Sequence, residues 1–165
     1  FFEEQTDKYK YAHLGSALSF LPYGTIVDYF QHIVYEQPDL TPDQRKEVWK
    51  KLQKEYMPYL NTDGMPFFED GRYWQRQHHI YSAPFYYIDY CLAQTVALAY
   101  WAESQEDFKK AWDKYYTMTS RGGKDTFTGL VKSAGLPSPF EEGALKKVAS
   151  VAREWLKSFD KEKLV

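Results

Sequence analysis

The 165-residue chain is predicted to be all-α, and three observations carry that expectation. Apolar residues recur at helical spacing through almost every segment. Helix start signals recur along the chain, with Thr41-Pro-Asp-Gln44 as the clearest. No segment alternates apolar and polar residues with the period of two that marks a strand, and no internal repeat is visible.

Taken in order, Thr6 and Asp7 can open a helix running to about Leu21, with Tyr11, Leu14, Leu18 and Leu21 on one face. Pro22-Tyr23-Gly24 is expected to break it, because proline lacks the amide hydrogen an interior turn needs. A second helix is expected from Thr25 to Glu36, presenting Ile26, Phe30, Ile33 and Val34, and ending at Gln37-Pro38. Thr41 to Gln44 is a capping box with proline at the first helical position. The helix it starts points Val48, Trp49, Leu52 and Tyr56 inward and stops at Pro58.

Residues 61–75 are rich in Gly, Pro and Asp and read as an ordered loop, since Phe67, Phe68, Tyr73 and Trp74 need packing partners. A central helix is expected from Pro84 to about Glu103. Ser104 with Asp107 caps the next, whose stripe is Phe108, Ala111, Trp112 and Tyr115. Arg121-Gly-Gly123 marks a turn, and a short helix from about Thr126 to Ala134 ends at Gly135. Ser138-Pro-Phe-Glu141 is a second capping box, opening a last helix with Leu145, Val148, Ala152, Trp155, Leu156 and Phe159 inward.

The chain is long enough to bury a core within one domain or a piece of a larger one. Its net charge of −2, with both signs interspersed, leaves no electrostatic footprint for nucleic acid or an anionic membrane. The single cysteine, Cys91, precludes an internal disulfide and points to a reducing, cytoplasmic setting. The one apolar stretch, Pro84 to Ala102, carries Asp89, Gln94 and several tyrosines, so it is expected to be a buried helix and not a membrane span. Phe1-Phe2-Glu3-Glu4 lacks the features of a signal peptide. Opening on Phe1-Phe2, it reads as a polypeptide cut within an element.

Aromatic residues make up 19% of the chain, which suggests an aromatic-lined interior or cleft. They concentrate in Arg76-Gln-His-His-Ile-Tyr-Ser-Ala-Pro-Phe-Tyr-Tyr-Ile-Asp-Tyr-Cys-Leu-Ala-Gln94. On a helix, Tyr87 and Tyr90 lie about 60° apart on one face. Phenols beside a histidine can donate hydrogen bonds to an oxygen gaining negative charge. Equally, they can be core aromatics whose hydroxyls found partners. Asp89, on the other side of that helix, reads as a buried carboxylate paired with Arg72 or Arg76.

The four histidines, His13, His32, His78 and His79, form no H-E-x-x-H motif. His32 and Glu36 share a helix face, a spacing more often found in a hydrogen-bonded or surface pair than in a metal site. Cys91 has no histidine within a helical turn, as expected of a small buried residue and not a nucleophile. Gly122-Gly123 is too little for a phosphate-cradling loop. No complete catalytic apparatus is present, only groups that could assist a reaction.

The segment Gln77 to Gln94 resembles the C-terminal signature of oligoendopeptidase F-like zinc peptidases of the thimet oligopeptidase (M3) family. Leu21-Pro-Tyr-Gly24, Val27-Asp28, Phe30-Gln-His32, Val34-Tyr-Glu36, Gly122-Gly123 with Phe127, and Ala134-Gly-Leu-Pro-Ser-Pro-Phe140 fit the same pattern. The resemblance covers essentially the whole chain. It implies a mostly helical protein with a deep cleft for short peptides, and one zinc held by H-E-x-x-H and a later glutamate. On matching positions it makes His79 the substrate-binding histidine and Tyr87 and Tyr90 the cleft tyrosines that stabilise the oxyanion, with Tyr81 and Tyr86 lining the cleft. His78 stands where the family often has glycine, so the resemblance leaves His78 and His79 to be distinguished. The zinc motif is absent here. The resemblance therefore implies the C-terminal, catalytic-domain part of such an enzyme as one all-α unit, inactive alone, with the N-terminal part as its partner. Self-association through apolar faces is also expected. The alternative is a non-catalytic helical module that binds peptides or a partner through its aromatic cleft.

Overall fold

The structure is a computed structural model that describes residues 2–164. Eight α-helices account for the fold, and no strand occurs among the described residues. They are α1 (Thr6–Glu36), α2 (Pro42–Tyr56), α3 (Pro66–Glu69), α4 (His79–Ser82), α5 (Ile88–Glu106), α6 (Phe108–Ser120), α7 (Phe127–Ser133) and α8 (Ala144–Ser158). Short 3-10 turns occupy Glu3–Gln5, Tyr73–Arg76 and Lys161–Leu164. No helix among the described residues is long and apolar enough to cross a membrane.

The first departure from expectation is α1, one helix of 31 residues that runs through Pro22. A proline inside a helix forfeits one backbone bond and crowds the carbonyl four residues back, at a cost of about 3 kcal/mol. The continuous helix offsets that by burying Ile26, Val27 and Phe30 to 1% exposure or less. Gly24 has its own reason to sit there: a Cβ at this position would lie 2.2 Å from the Cys91 Sγ of α5. The glycine is a seat for a neighbouring helix and not a break.

Two compact units divide the chain, Leu18–Cys91 and Phe1–Ala17 with Leu92–Val165. In the first, Ile26, Val27, Phe30, Trp49, Leu52, Trp74, Ile80 and Tyr87 form the core. Trp49 meets Phe30 edge-on with ring centres 5.5 Å apart, and Phe30 in turn lies 5.0 Å from Trp74. The α2 start is as expected: Thr41 and Gln44 exchange side-chain-to-backbone bonds, with Pro42 at the first helical position. The loop over 61–75 is ordered but not structureless, since it holds α3 and part of the Tyr73–Arg76 turn.

In the second unit, Leu14, Val96, Leu98, Ala102, Val131, Val148 and Ala152 are buried. Trp101 packs edge-on against Trp155, with ring centres 6.1 Å apart. Asp107 alone caps α6, accepting from the Lys110 amide, whereas Ser104 lies inside α5 and donates to the Trp101 carbonyl. Of the expected α6 stripe only Ala111 is buried, and Phe108, Trp112 and Tyr115 are exposed. Thr126 caps α7 through the Gly129 amide.

The second expected capping box does not form. Ser138 accepts from the Phe140 amide and closes a turn, and α8 begins only after Gly143, whose left-handed φ of 82° suits glycine. Leu145, expected inward, is 47% exposed.

Candidate functional site

The aromatic and polar groups of the site all belong to the Leu18–Cys91 unit. The expected helix start at Pro84 is replaced by a turn, and α5 begins at Ile88. Phe85 is the cause: its φ of 61° is left-handed, a conformation that costs an L residue about 1–2 kcal/mol and that no helix interior accommodates. The turn is held by Gln31, which is fully buried. Gln31 donates from Nε2 to the Val27 carbonyl and accepts the Phe85 amide on Oε1 at 2.9 Å. The Phe85 ring packs between His32 and Tyr35, 4.9 and 5.0 Å away. A buried amide on α1 therefore sets where the phenol-bearing segment starts.

From that turn, Tyr87 enters the core at 9% exposure, and Tyr90 follows at 40%. His79, at the first position of α4, meets both edge-on, with ring centres 5.0 Å from Tyr87 and 5.7 Å from Tyr90. The two phenol rings are 5.4 Å apart. The Tyr90 hydroxyl lies 3.5 Å from His79 Nε2. On its other side, His79 Nδ1 lies 2.7 Å from Gln77 Nε2, and Gln77 Oε1 accepts from the Tyr23 hydroxyl at 2.7 Å. The structure thus brings His79, Tyr87 and Tyr90 together. His78 is exposed, and its ring is turned 72° from that of His79.

Tyr86 meets Tyr90 edge-on at 5.3 Å and is exposed. Tyr81 points elsewhere: it is 59% exposed and stacks on Trp74 at 6.0 Å. Burial raises the Tyr87 hydroxyl above its ordinary range, reinforced by Cys91 and Tyr90 and opposed by Arg76. Tyr90 shifts the same way, through desolvation first and then Tyr86 and Asp89. Both phenols therefore keep their protons at neutral pH and can act only as neutral donors or acceptors.

The expected pairing of Asp89 is different in the structure. Asp89 is exposed, while Arg72 meets Asp70 at 2.6 Å and Arg76 donates to the Tyr73 hydroxyl. The start of α5 at Ile88 leaves Asp89 in a solvated first turn. His32 and Glu36 are both exposed, and His32 pairs with Asp28, one turn back at 3.3 Å. Cys91 is buried as expected, and burial, with Asp28 adding to it, pushes its thiol up to about 11. Gln31, Gln77, Tyr23 and Phe85 escaped the reading by spacing. Both amide contacts join residues 54 apart in sequence, and no local pattern encodes them.

A match to the family profile of peptidase family M3 spans residues 2–150, and the chain belongs to that family. Among solved structures it is similar to a PZ peptidase A with an inhibitor, at 48% identity and TM-score 0.91, over 98% of this chain and 29% of that one. A structure provisionally named oligoendopeptidase F gives 50% identity and TM-score 0.91 over 100% and 29% of the two chains. Another so named, from Bacillus anthracis str. Ames, gives 41% and 0.79 over 99% and 26%. The chain thus spans between a quarter and a third of the length of these structures. No curated protein sequence matches significantly. Family M3 peptidases are generally zinc metallopeptidases. The described residues do not fit such an ion, because no three His, Cys, Asp or Glu side chains converge to hold one.

Proposed function

We propose that this chain is the C-terminal, catalytic-domain part of a zinc oligopeptidase. In this reading it supplies the substrate-binding and oxyanion-stabilising side of the active site. The observation that carries the reading is the convergence of His79 with the Tyr87 and Tyr90 rings, all within 6 Å centre to centre, in a chain of family M3. The zinc and its ligands come from the N-terminal part of the same enzyme.

Hydrolysis of a peptide bond passes through a tetrahedral state whose carbonyl oxygen becomes an anion. Donors aimed at that oxygen, in a site that excludes water, stabilise this state more than the ground state. A phenol with a raised pKa retains the proton such a bond needs. Tyr90, the more exposed of the two, is the direct donor, and Tyr87 either joins it or holds the His79 ring edge-on. His79 orients the peptide through Nε2. Tyr86 lines the substrate path beside Tyr90. Tyr81, stacked on Trp74, contributes less directly. Short peptides are the substrates, and the compartment is a reducing, cytoplasmic one.

A turnover assay tests this reading. The complete polypeptide, with zinc, is expected to cleave a short quenched-fluorescent peptide and to leave a folded protein intact, and the isolated chain is expected to cleave neither. Stoichiometric peptide binding by the complete polypeptide without turnover would instead establish a non-catalytic binding module.

A further inference from the structure

We propose that Gln77, oriented by Tyr23, is a positioning residue that keeps the proton of neutral His79 on Nε2, so that this histidine presents a donor to the site. The argument starts from Tyr23. Burial pushes its hydroxyl far above the ordinary phenol range, so the group always carries a proton to donate. Its ring is fixed by edge contacts to Trp49, Tyr73 and Tyr87 at 6.4, 6.0 and 6.0 Å. Its hydroxyl lies 2.7 Å from Gln77 Oε1, an atom that can only accept.

That bond fixes the amide. Reversing it would turn Oε1 toward His79 and the Nε2 hydrogens toward Tyr23, and would take from the Tyr23 proton the oxygen that receives it in a half-buried place. With Oε1 on Tyr23, the Nε2 hydrogens of Gln77 point at His79 Nδ1 across 2.7 Å. Nδ1 must then be the lone-pair nitrogen, and the neutral ring carries its hydrogen on Nε2. Nε2 is the atom that faces the Tyr90 hydroxyl. A three-membered relay, hydroxyl to amide to imidazole, links α1 to α4 and selects one tautomer of two.

The consequence for turnover rests on the proposed peptidase reading, but the location of the proton does not. The experiment therefore has two readouts on the complete, zinc-loaded polypeptide. With 15N-labelled histidine, long-range proton–nitrogen correlation at pH 8 reports which ring nitrogen of His79 is protonated, and His79→Gln identifies the signals by their loss. The expected result is a bare Nδ1 and a protonated Nε2. In Gln77→Glu the carboxylate accepts where the amide donated, and Nδ1 is expected to gain a proton. Tyr23→Phe keeps the ring packing, frees the amide to turn, and is expected to give both tautomers. A protonated Nδ1 in the unsubstituted protein, or a Gln77→Glu spectrum unchanged from it, overturns the proposal.

For the second readout, Gln77→Met keeps the volume and removes the relay, and is expected to lower kcat at least tenfold with KM within about threefold. A kcat within twofold of the unsubstituted enzyme would refute the positioning role. An unsubstituted protein with the expected spectrum and no turnover would refute the peptidase reading alone.

Discussion

Gly24→Ala puts the packing that aims Tyr87 under direct strain. The added Cβ would lie 2.2 Å from Cys91 Sγ, where ordinary contact begins at 3.4 Å, so the sulfur must give way, either by a turn of the Cys91 side chain or by a local separation of α1 from the start of α5. The same Cβ would stand 3.5 Å from Phe20 and 3.6 Å from the Tyr87 ring, which are ordinary contacts, so the sulfur alone is the obstruction. Alanine in a helix interior is favoured over glycine by about 1 kcal/mol. Overpacking a tight interior costs about 1–3 kcal/mol, and the size of this overlap places it at the upper end. The expected net loss is about 1–2 kcal/mol in urea unfolding of the complete polypeptide. Because Tyr87 shares the contact, a displacement near 1 Å is also expected to lower kcat by about 10–100-fold. Removing the obstruction with Cys91→Ala should restore at least about 1 kcal/mol in the double variant, a coupling measured by the full mutant cycle. A Gly24→Ala protein as stable as the parent, or one whose loss Cys91→Ala does not relieve, would refute the close-seat explanation for Gly24.

The Cys91 thiol, pushed up to about 11 by burial, should hardly react with a disulfide reagent at pH 8 in the native protein. Modification followed at that residue by peptide mapping should quicken as pH rises toward 11 and become ordinary in urea; a native rate at pH 8 within a few-fold of the unfolded one would contradict this. Gln31→Leu strips the Phe85 amide of its acceptor in a left-handed turn, and is expected to cost about 1–3 kcal/mol; loss below 0.5 kcal/mol, on the order of a neutral surface change, would argue against the clamp. The exposed aromatic row of Phe108, Trp112 and Tyr115 on α6 should make the isolated chain self-associate in sedimentation. Trp112→Asp should reduce the association, and a monodisperse monomer of the unsubstituted chain would refute it.

Where sequence and structure agree, the governing interactions are local. The Thr41 and Thr126 caps are bonds across three residues, and the all-α class follows from helical spacing that each segment displays by itself. Where they part, distant contacts decide. Proline at 22 is a breaker by local rules, yet the helix continues because Ile26, Val27 and Phe30 are buried along it. Pro84 is a helix opener by local rules, yet Gln31, 54 residues earlier, captures Phe85 in a turn instead. Ser138 and Glu141 are a local exception: they have the right spacing for a cap, but the backbone at Gly143 turns left-handed and delays α8. The site follows the same division. His79, Tyr87 and Tyr90 were legible as residue types in a known signature, whereas the Tyr23 and Gln77 contacts that orient His79 exist only in three dimensions.

The central claim is that this chain donates hydrogen bonds to a developing oxyanion, and phenylalanine substitution tests it most directly. In the complete enzyme, Tyr90→Phe and Tyr87→Phe each delete one hydroxyl oxygen and keep the ring contacts with His79. The measurement is kcat with a short peptide, alongside the unfolding midpoint. A fall of about 10²–10³-fold in at least one variant, with the midpoint unchanged, is the predicted result. Near-normal turnover in both would contradict the role given to these phenols.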